Sequence, residues 1–230
     1  MSESIIYLSH TINNKTPIYG NKGNPIIRKT SQMEKGDTSN NSELILSAHT
    51  GTHIDAPYHF YEEGKTIEQY APEFLICYHP CVMDINVKLE EIITLNKIKE
   101  QLDHLPPNTD LLIIRTGFAK YRKNNVKMYT LHNPGIAPEV GEWLRKYHRI
   151  KMIGFDFISL SSYVHRDLGR MAHKAFLGKM EFNGQPMEPI LIIEDMDLSK
   201  LNKSLKKVIV SPLRFQFSDG SPVTVTGWIN

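Results

Sequence analysis

The 230-residue chain has two cysteines, no long hydrophobic run and almost no excess of either charge, and each shortage closes off a class of protein. Cys77 and Cys81 are too few for a disulfide framework, and their CxxxC spacing has no second pair to complete a thiolate metal site. They read as reduced, buried small hydrophobes. The longest apolar runs, residues 111–114 and 189–193, fall far short of the ~18 residues that a membrane span needs. At the start, Met1-Ser2-Glu3-Ser4-Ile5-Ile6 has neither the basic opening nor the apolar stretch of a secretion signal. A cytoplasmic protein without membrane contact is expected. With 27 basic against 25 acidic side chains the formal charge is +2, and no basic stripe marks a nucleic-acid partner. Glycine and proline, at 14 and 13 residues, and charged residues, at 23%, are near average, which excludes collagen, disordered tails and coiled coils.

What remains is a globular chain about one and a half times the ~150 residues expected of a domain, read as one domain spanning residues 1–230. Residues 11–41, rich in Gly, Asn, Pro and Ser, read as a long loop with short extended pieces. Leu44-Ile45-Leu46 is predicted to be a strand running into the polar cluster that follows. Strands are also predicted over residues 81–87, 110–116, 151–157, 189–194, 207–210 and 223–229. Helical spacing covers residues 89–105, stopped by Pro106-Pro107, and residues 138–148, where Val140, Trp143, Leu144 and Tyr147 form one stripe. Interleaved strands and helices predict one α/β domain on a mixed sheet with flanking helices.

The chemistry concentrates in Ser47-Ala48-His49-Thr50-Gly51-Thr52-His53-Ile54-Asp55-Ala56-Pro57-Tyr58-His59-Phe60. Three of the ten histidines and one aspartate fall within eleven residues here. Converging imidazoles and a carboxylate make a poor apolar core, because each needs a partner when buried, whereas a divalent cation satisfies all of them together. On an extended segment His53 and Asp55 point to one side, and Gly51 lets the chain fold so that His49 joins them. Imidazole and carboxylate without thiolate suit Zn²⁺ or Mn²⁺ at a catalytic site. His59 lies beyond Pro57, out of helical phase with Asp55, and is placed beside the metal as a proton shuttle. The pattern is neither HExxH nor HxHxDH.

Residues 49–60 resemble the HxGTHxDxPxHF signature of the cyclase family, which includes bacterial kynurenine formamidases and isatin hydrolases. Further pieces agree in order: Tyr7-Leu8-Ser9-His10, Thr16-Pro17-Ile18-Tyr19-Gly20, Arg115-Thr116-Gly117, His132-Asn133-Pro134-Gly135-Ile136, the segment from Gly169 to Leu177 containing His173, and the segment from Ile190 to Met196 containing Glu194. The resemblance implies a metal-dependent hydrolase with a swivelling β/β/α-type fold, one or two Zn²⁺ or Mn²⁺ ions per subunit, and assembly as a homodimer or homotetramer. It implies that His49, His53 and Asp55 bind one metal, with Asp55 able to bridge to a second held by His173 and the bridging Glu194. By the same resemblance His59 is the acid/base, and Tyr19 stands where formamidases carry a substrate-contacting tryptophan. Tyr19 and Phe60 would give aromatic surface to a flat small-molecule substrate. Two features depart from the formamidases: residues 178–189 are longer, and Tyr19 is not followed by proline. The expected reaction is arylformamide hydrolysis, with opening of a cyclic amide or lactone, or metal binding without catalysis, as the alternatives.

On the residues alone Glu194 is a strand-end acid in an α/β pattern, a common place for a site residue. His173, in a segment of mixed charge, reads as part of a solvated helix, and only the resemblance promotes it. His10, His79, His104, His132, His148 and His165 read as surface or structural. Asp156 reads as a hydrogen-bonded structural acid.

Overall fold

The apolar runs predicted to be buried strands form the middle of the structure. In the computed structural model, which describes residues 4–147 and 150–229, Pro80–Asp84, Leu111–Arg115, Met152–Phe155 and Leu191–Glu194 lie side by side and parallel. Past Leu191–Glu194 the sheet becomes antiparallel, through His53–Asp55, Gly220–Ile229, Leu205–Pro212 and Ile76–Cys77. Ser4–Tyr7 pairs with the far half of Gly220–Ile229, completing a nine-stranded sheet. Its two edges, Ile76–Cys77 and Pro80–Asp84, are separated in sequence only by Tyr78 and His79. Three Cα steps reach at most ~11 Å, so the sheet must curl almost into a barrel.

Both faces of the parallel strands are buried, which is why they read as unbroken apolar runs. Leu112, Ile114, Ile153, Phe155 and Ile192 face outward against helices, while Leu111, Ile113, Met152, Leu191 and Ile193 face the inside of the curl. Each such side chain contributes ~1.5–3 kcal/mol of burial. The outer layer holds Leu95–Asp103, Pro138–Tyr147 and Arg166–Leu177, which bury Ile98, Leu102, Val140, Leu144, Ala172 and Phe176. Cys77 is buried and Cys81 half-buried, and both are free thiols. No helix among the described residues is long and apolar enough to cross a membrane.

Four sequence expectations need correction. The helix expected over residues 89–105 begins only at Leu95, because Ile92–Ile93 pairs instead with Gly135–Ile136 and Leu89 is exposed. The segment expected to be a long loop contains a hairpin, Ile26–Ser31 against Asn41–Ile45. Leu44 and Ile45 are strand as expected but belong to that exposed hairpin, and residues 46–52, leading into the cluster, are irregular chain with turns and bends. The stripe on Pro138–Tyr147 stops before Tyr147, which is 61% exposed. His148 lies outside the described residues.

A buried ion pair ties the end of Leu191–Glu194 to the outer layer. Asp195, fully buried at φ +54°, accepts from Arg122 Nε and Nη2 at 2.8 and 2.7 Å and from the Tyr129 hydroxyl at 2.5 Å. Its carbonyl accepts from Thr52 Oγ1 at 2.5 Å, so the residues next to His53 and Glu194 are clamped together. Removing one partner of such a pair strands a charge in a dry site. Arg122→Ala is expected to lower the unfolding free energy by ~3–5 kcal/mol, measured by urea denaturation.

Candidate metal centre

Strand register brings three donors to one face. In the antiparallel pair, Asp55 stands opposite Ile192 and His53 opposite Glu194. Opposed residues share a face, so His53, Asp55 and Glu194 point together to the helical side while Ile54 packs inside the curl. A slip of one residue would send both His53 and Asp55 to the wrong face. Across from them Arg166–Leu177 delivers His173, which is buried, not solvated as its charged neighbourhood implied. Gly51 adopts φ +65° in the turn that carries His49 back over the strand, as the sequence predicts.

The imidazoles of His53 and His173 are oriented alike. Each donates Nδ1–H to a backbone carbonyl at 2.8 Å, His53 to Gly51 and His173 to Gly169. Their Nε2 atoms then face the same two carboxylates: His53 at 3.5 Å from Asp55 and 3.4 Å from Glu194, His173 at 3.6 Å from each. These gaps are too long for good hydrogen bonds, and the buried His53 Nε2 has no hydrogen-bond partner. Two ligands each ~2.1 Å from one tetrahedral ion lie ~3.4 Å apart, which matches the spacing. A carbonyl holding the far nitrogen is the usual support for a metal-binding histidine. The donor set therefore fits a divalent cation.

A second group adjoins the first through Asp55. His49, Asp55 and His59 also place one donor atom each within 4.8 Å of one another. His49 Nδ1 donates to Asp55 Oδ1 and Nε2 to Asp219 Oδ2, both at 2.8 Å, and His59 Nδ1 donates to the same Asp219 oxygen at 3.0 Å. Asp219 was not singled out in the sequence, where it lies 160 residues past His59. Its only sequence signal is the Ser-Asp-Gly turn before the last strand.

Charge balance follows the same geometry. Burial alone would raise Asp55, but His49, His173 and His53 outweigh it and hold the carboxyl well below its usual value. Glu194 is opposed by its own burial and by Asp55, yet His173 and His53 still lower it. Burial likewise opposes charge on His49, but Asp55 and Asp219 push it up to about 10, and Asp55 with Glu194 pushes His173 up to about 9. His59 goes the other way: burial, with His49 and His173, lowers it despite Asp55 and Asp219, and so keeps it neutral at pH 7.

These side chains floor a pocket of about 340 Å³ whose wall includes Tyr19 and Phe60. Burial and then Glu194 raise the Tyr19 hydroxyl to about 12, and it hydrogen-bonds to the Ser162 carbonyl of its own chain at 3.4 Å. Tyr19 thus lines the pocket of its own chain. Phe60 stacks on His173 at 4.5 Å and meets His59 edge-on at 4.7 Å, so it also braces two site histidines. Residues 178–189 form a small hairpin, Glu181–Phe182 with Gln185–Pro186, and supply none of the pocket lining. Asp156 accepts from Thr116 N and Oγ1 and from Gly117 N, as a structural acid. His132 pairs with Glu90 outside the site.

Curled sheet, register and donor set define an α/β protein with a site suited to a divalent cation. The chain belongs to the cyclase family, whose model matches residues 6–162. It is 28% identical over 225 residues to cyclase-like protein 2 of Oryza sativa subsp. japonica, covering 95% of this chain and 77% of that protein. Cyclase-like protein 2 of Arabidopsis thaliana is 26% identical over 195 residues, covering 83% and 66%. The chain thus spans 77% and 66% of these two relatives' lengths. Among solved structures, isatin hydrolase A from Ralstonia solanacearum superposes with a TM-score of 0.79 at 16% identity, covering 99% of this chain and 92% of that one. Isatin hydrolase A from Labrenzia aggregata bound to benzyl benzoate gives 0.79 at 20% identity, covering 99% and 94%. At these identities the superpositions establish the fold.

Protein stripped by a chelator should show the imidazole and carboxylate shifts directly. His49 and His173 are raised, so the stability they bring is complete below the unfolded imidazole value of ~6.5 and is lost as pH rises through about 9 to 10. Asp55 and Glu194 are lowered, so theirs is present above ~4 and lost as pH falls. Urea midpoints of stripped protein should therefore peak between about pH 5 and 6.5. Asp55→Ala, which breaks both donor groups, should abolish stoichiometric Zn²⁺ binding in equilibrium dialysis.

Proposed function

We propose that this chain is a divalent-metal hydrolase that opens a small cyclic amide or lactone, as its isatin hydrolase structural neighbours are named for doing with isatin. One observation carries the reading. The Nε2 atoms of His53 and His173 converge on Asp55 and Glu194 at ligand spacing, beneath a pocket of about 340 Å³ walled by Tyr19 and Phe60. That volume falls at the small end of the ~300–1,000 Å³ typical of ligand pockets. Zn²⁺ suits the imidazole and carboxylate donors best, with Mn²⁺ next, in one or two sites sharing Asp55.

When bound, the cation supplies carbonyl polarisation and lowers the pKa of water towards ~7. The protein groups do the rest. His59, neutral and with Nδ1–H held by Asp219, presents Nε2 as the proton acceptor. A water oxygen bonds to the carbonyl carbon, the ring C–N or C–O bond breaks, and the proton passes through His59 to the leaving nitrogen or oxygen. Tyr19 and Phe60 contact the faces of a flat ring.

Arylformamide hydrolysis is the second reading, because residues 49–60 match a signature that formamidases and isatin hydrolases share. The same side chains would act on a linear formamide. Tyr19, standing where formamidases carry tryptophan, favours the ring substrate.

Incubating zinc-loaded and chelated protein with isatin, a small lactone and N-formylkynurenine tests both. Metal-dependent ring opening is expected, and His59→Ala should keep the ion held by His53, Asp55, Glu194 and His173 while losing ~10²–10⁴-fold in kcat. Cleavage of the formamide alone would establish the second reading, and no metal-dependent hydrolysis of any of the three would overturn the hydrolase assignment.

A further inference from the structure

Asp219 reaches the centre from the opposite end of the chain, and its place is built. The turn that carries it is held by Glu68, whose carboxylate accepts from Phe217 N at 2.8 Å, Ser218 N at 3.3 Å and Ser218 Oγ at 2.7 Å. The Ser218 carbonyl accepts from Ile67 N at 3.0 Å, and the Asp219 carbonyl accepts from Ala56 N at 2.9 Å. Ala56 is the residue after Asp55, so this last bond ties the turn to the signature segment itself. The next residue is Gly220, where a Cβ would stand 2.6 Å from His49 Cε1; only glycine leaves room for the His49 ring against the turn.

The side chain ends on two imidazoles. Asp219 Oδ2 accepts from His49 Nε2 at 2.8 Å and from His59 Nδ1 at 3.0 Å, with the two rings 4.1 Å apart. A neutral imidazole that gives its Nδ1–H to a fixed carboxylate carries its lone pair on Nε2, and its ring cannot turn over without losing the bond. Phe60, edge-on to His59 at 4.7 Å, confines the ring by shape without fixing its tautomer.

We infer that Asp219 is the positioning residue of the proton-transfer step, holding His59 as the Nδ1–H tautomer with Nε2 free and holding His49 by Nε2 so that its Nδ1 faces Asp55. The assignment of the step rests on the hydrolase reading; the assignment of the tautomer does not. An asparagine has nearly the same shape but one carbonyl oxygen without the charge, and its amide NH₂ can bond the wrong nitrogen of either ring.

The test uses Asp219→Asn in the full, zinc-loaded chain, with two readouts. Imidazole ¹⁵N NMR of wild type should show His59 with a protonated Nδ1 and a bare Nε2, and the variant should lose that single tautomer. With the best hydrolysed of the three substrates above, kcat should fall ~10–100-fold while KM and zinc content stay near wild type. Placed on His59→Ala, the same substitution should cause a much smaller loss, because its effect on proton transfer acts through His59. An equal loss in both backgrounds, or an unchanged His59 tautomer, would overturn the inference. If Asp219→Asn fails to fold, Asp219→Ser carries the same measurements. If wild type hydrolyses nothing, the hydrolase reading fails and the NMR result still decides the role of Asp219.

Discussion

The centre depends on one register, that of His53–Asp55 against Leu191–Glu194. Because opposed residues share a face, the pairing of His53 with Glu194 and of Asp55 with Ile192 sends three polar donors to the helical side and Ile54 into the interior. Apolar packing enforces this choice: Ile54 and Ile193 occupy the inside of the curl, Ile192 the outside. The clamp from Thr52 to the Asp195 carbonyl, and from Asp195 to Arg122 and Tyr129, locks the same register one residue beyond the donors. Fold and chemistry are therefore specified by the same alternation of side chains.

Two buried carboxylates that meet at one point repel each other and are costly to desolvate. No lysine or arginine forms an ion pair with Asp55 or Glu194 among the described residues; their charge partners are histidines. Histidine is the side chain that can either carry the compensating proton or give it up to a cation. With Nδ1 of His53 and His173 held by the Gly51 and Gly169 carbonyls, only Nε2 is left to do so. Those two carbonyl bonds are what distinguish a ligand set from a cluster of paired acids and bases.

Much of this was legible in the sequence. The parallel strands showed as apolar runs because both their faces are buried, and the alternation around Ile54 placed His53 and Asp55 on one side. Gly51 marked the turn that returns His49. His173 and Asp219 were not legible from spacing, since each meets the site only through tertiary packing of a helix or a distant turn. Residues 89–94 misled because their isoleucines suit a helix and a short strand equally, and pairing with Gly135–Ile136 decides between them. Leu44 and Ile45 misled for another reason: they look like buried strand residues and instead lie exposed on a hairpin, at 56% and 51%.

The most direct test of the centre is anomalous diffraction at the zinc edge from crystals grown with Zn²⁺. A peak is expected in the space bounded by His53 Nε2, Asp55 and Glu194, ~2.0–2.2 Å from each ligand atom. A fully occupied zinc ion bound only elsewhere, or no peak at this position after saturation with Zn²⁺, would contradict the assignment of these residues as a metal site.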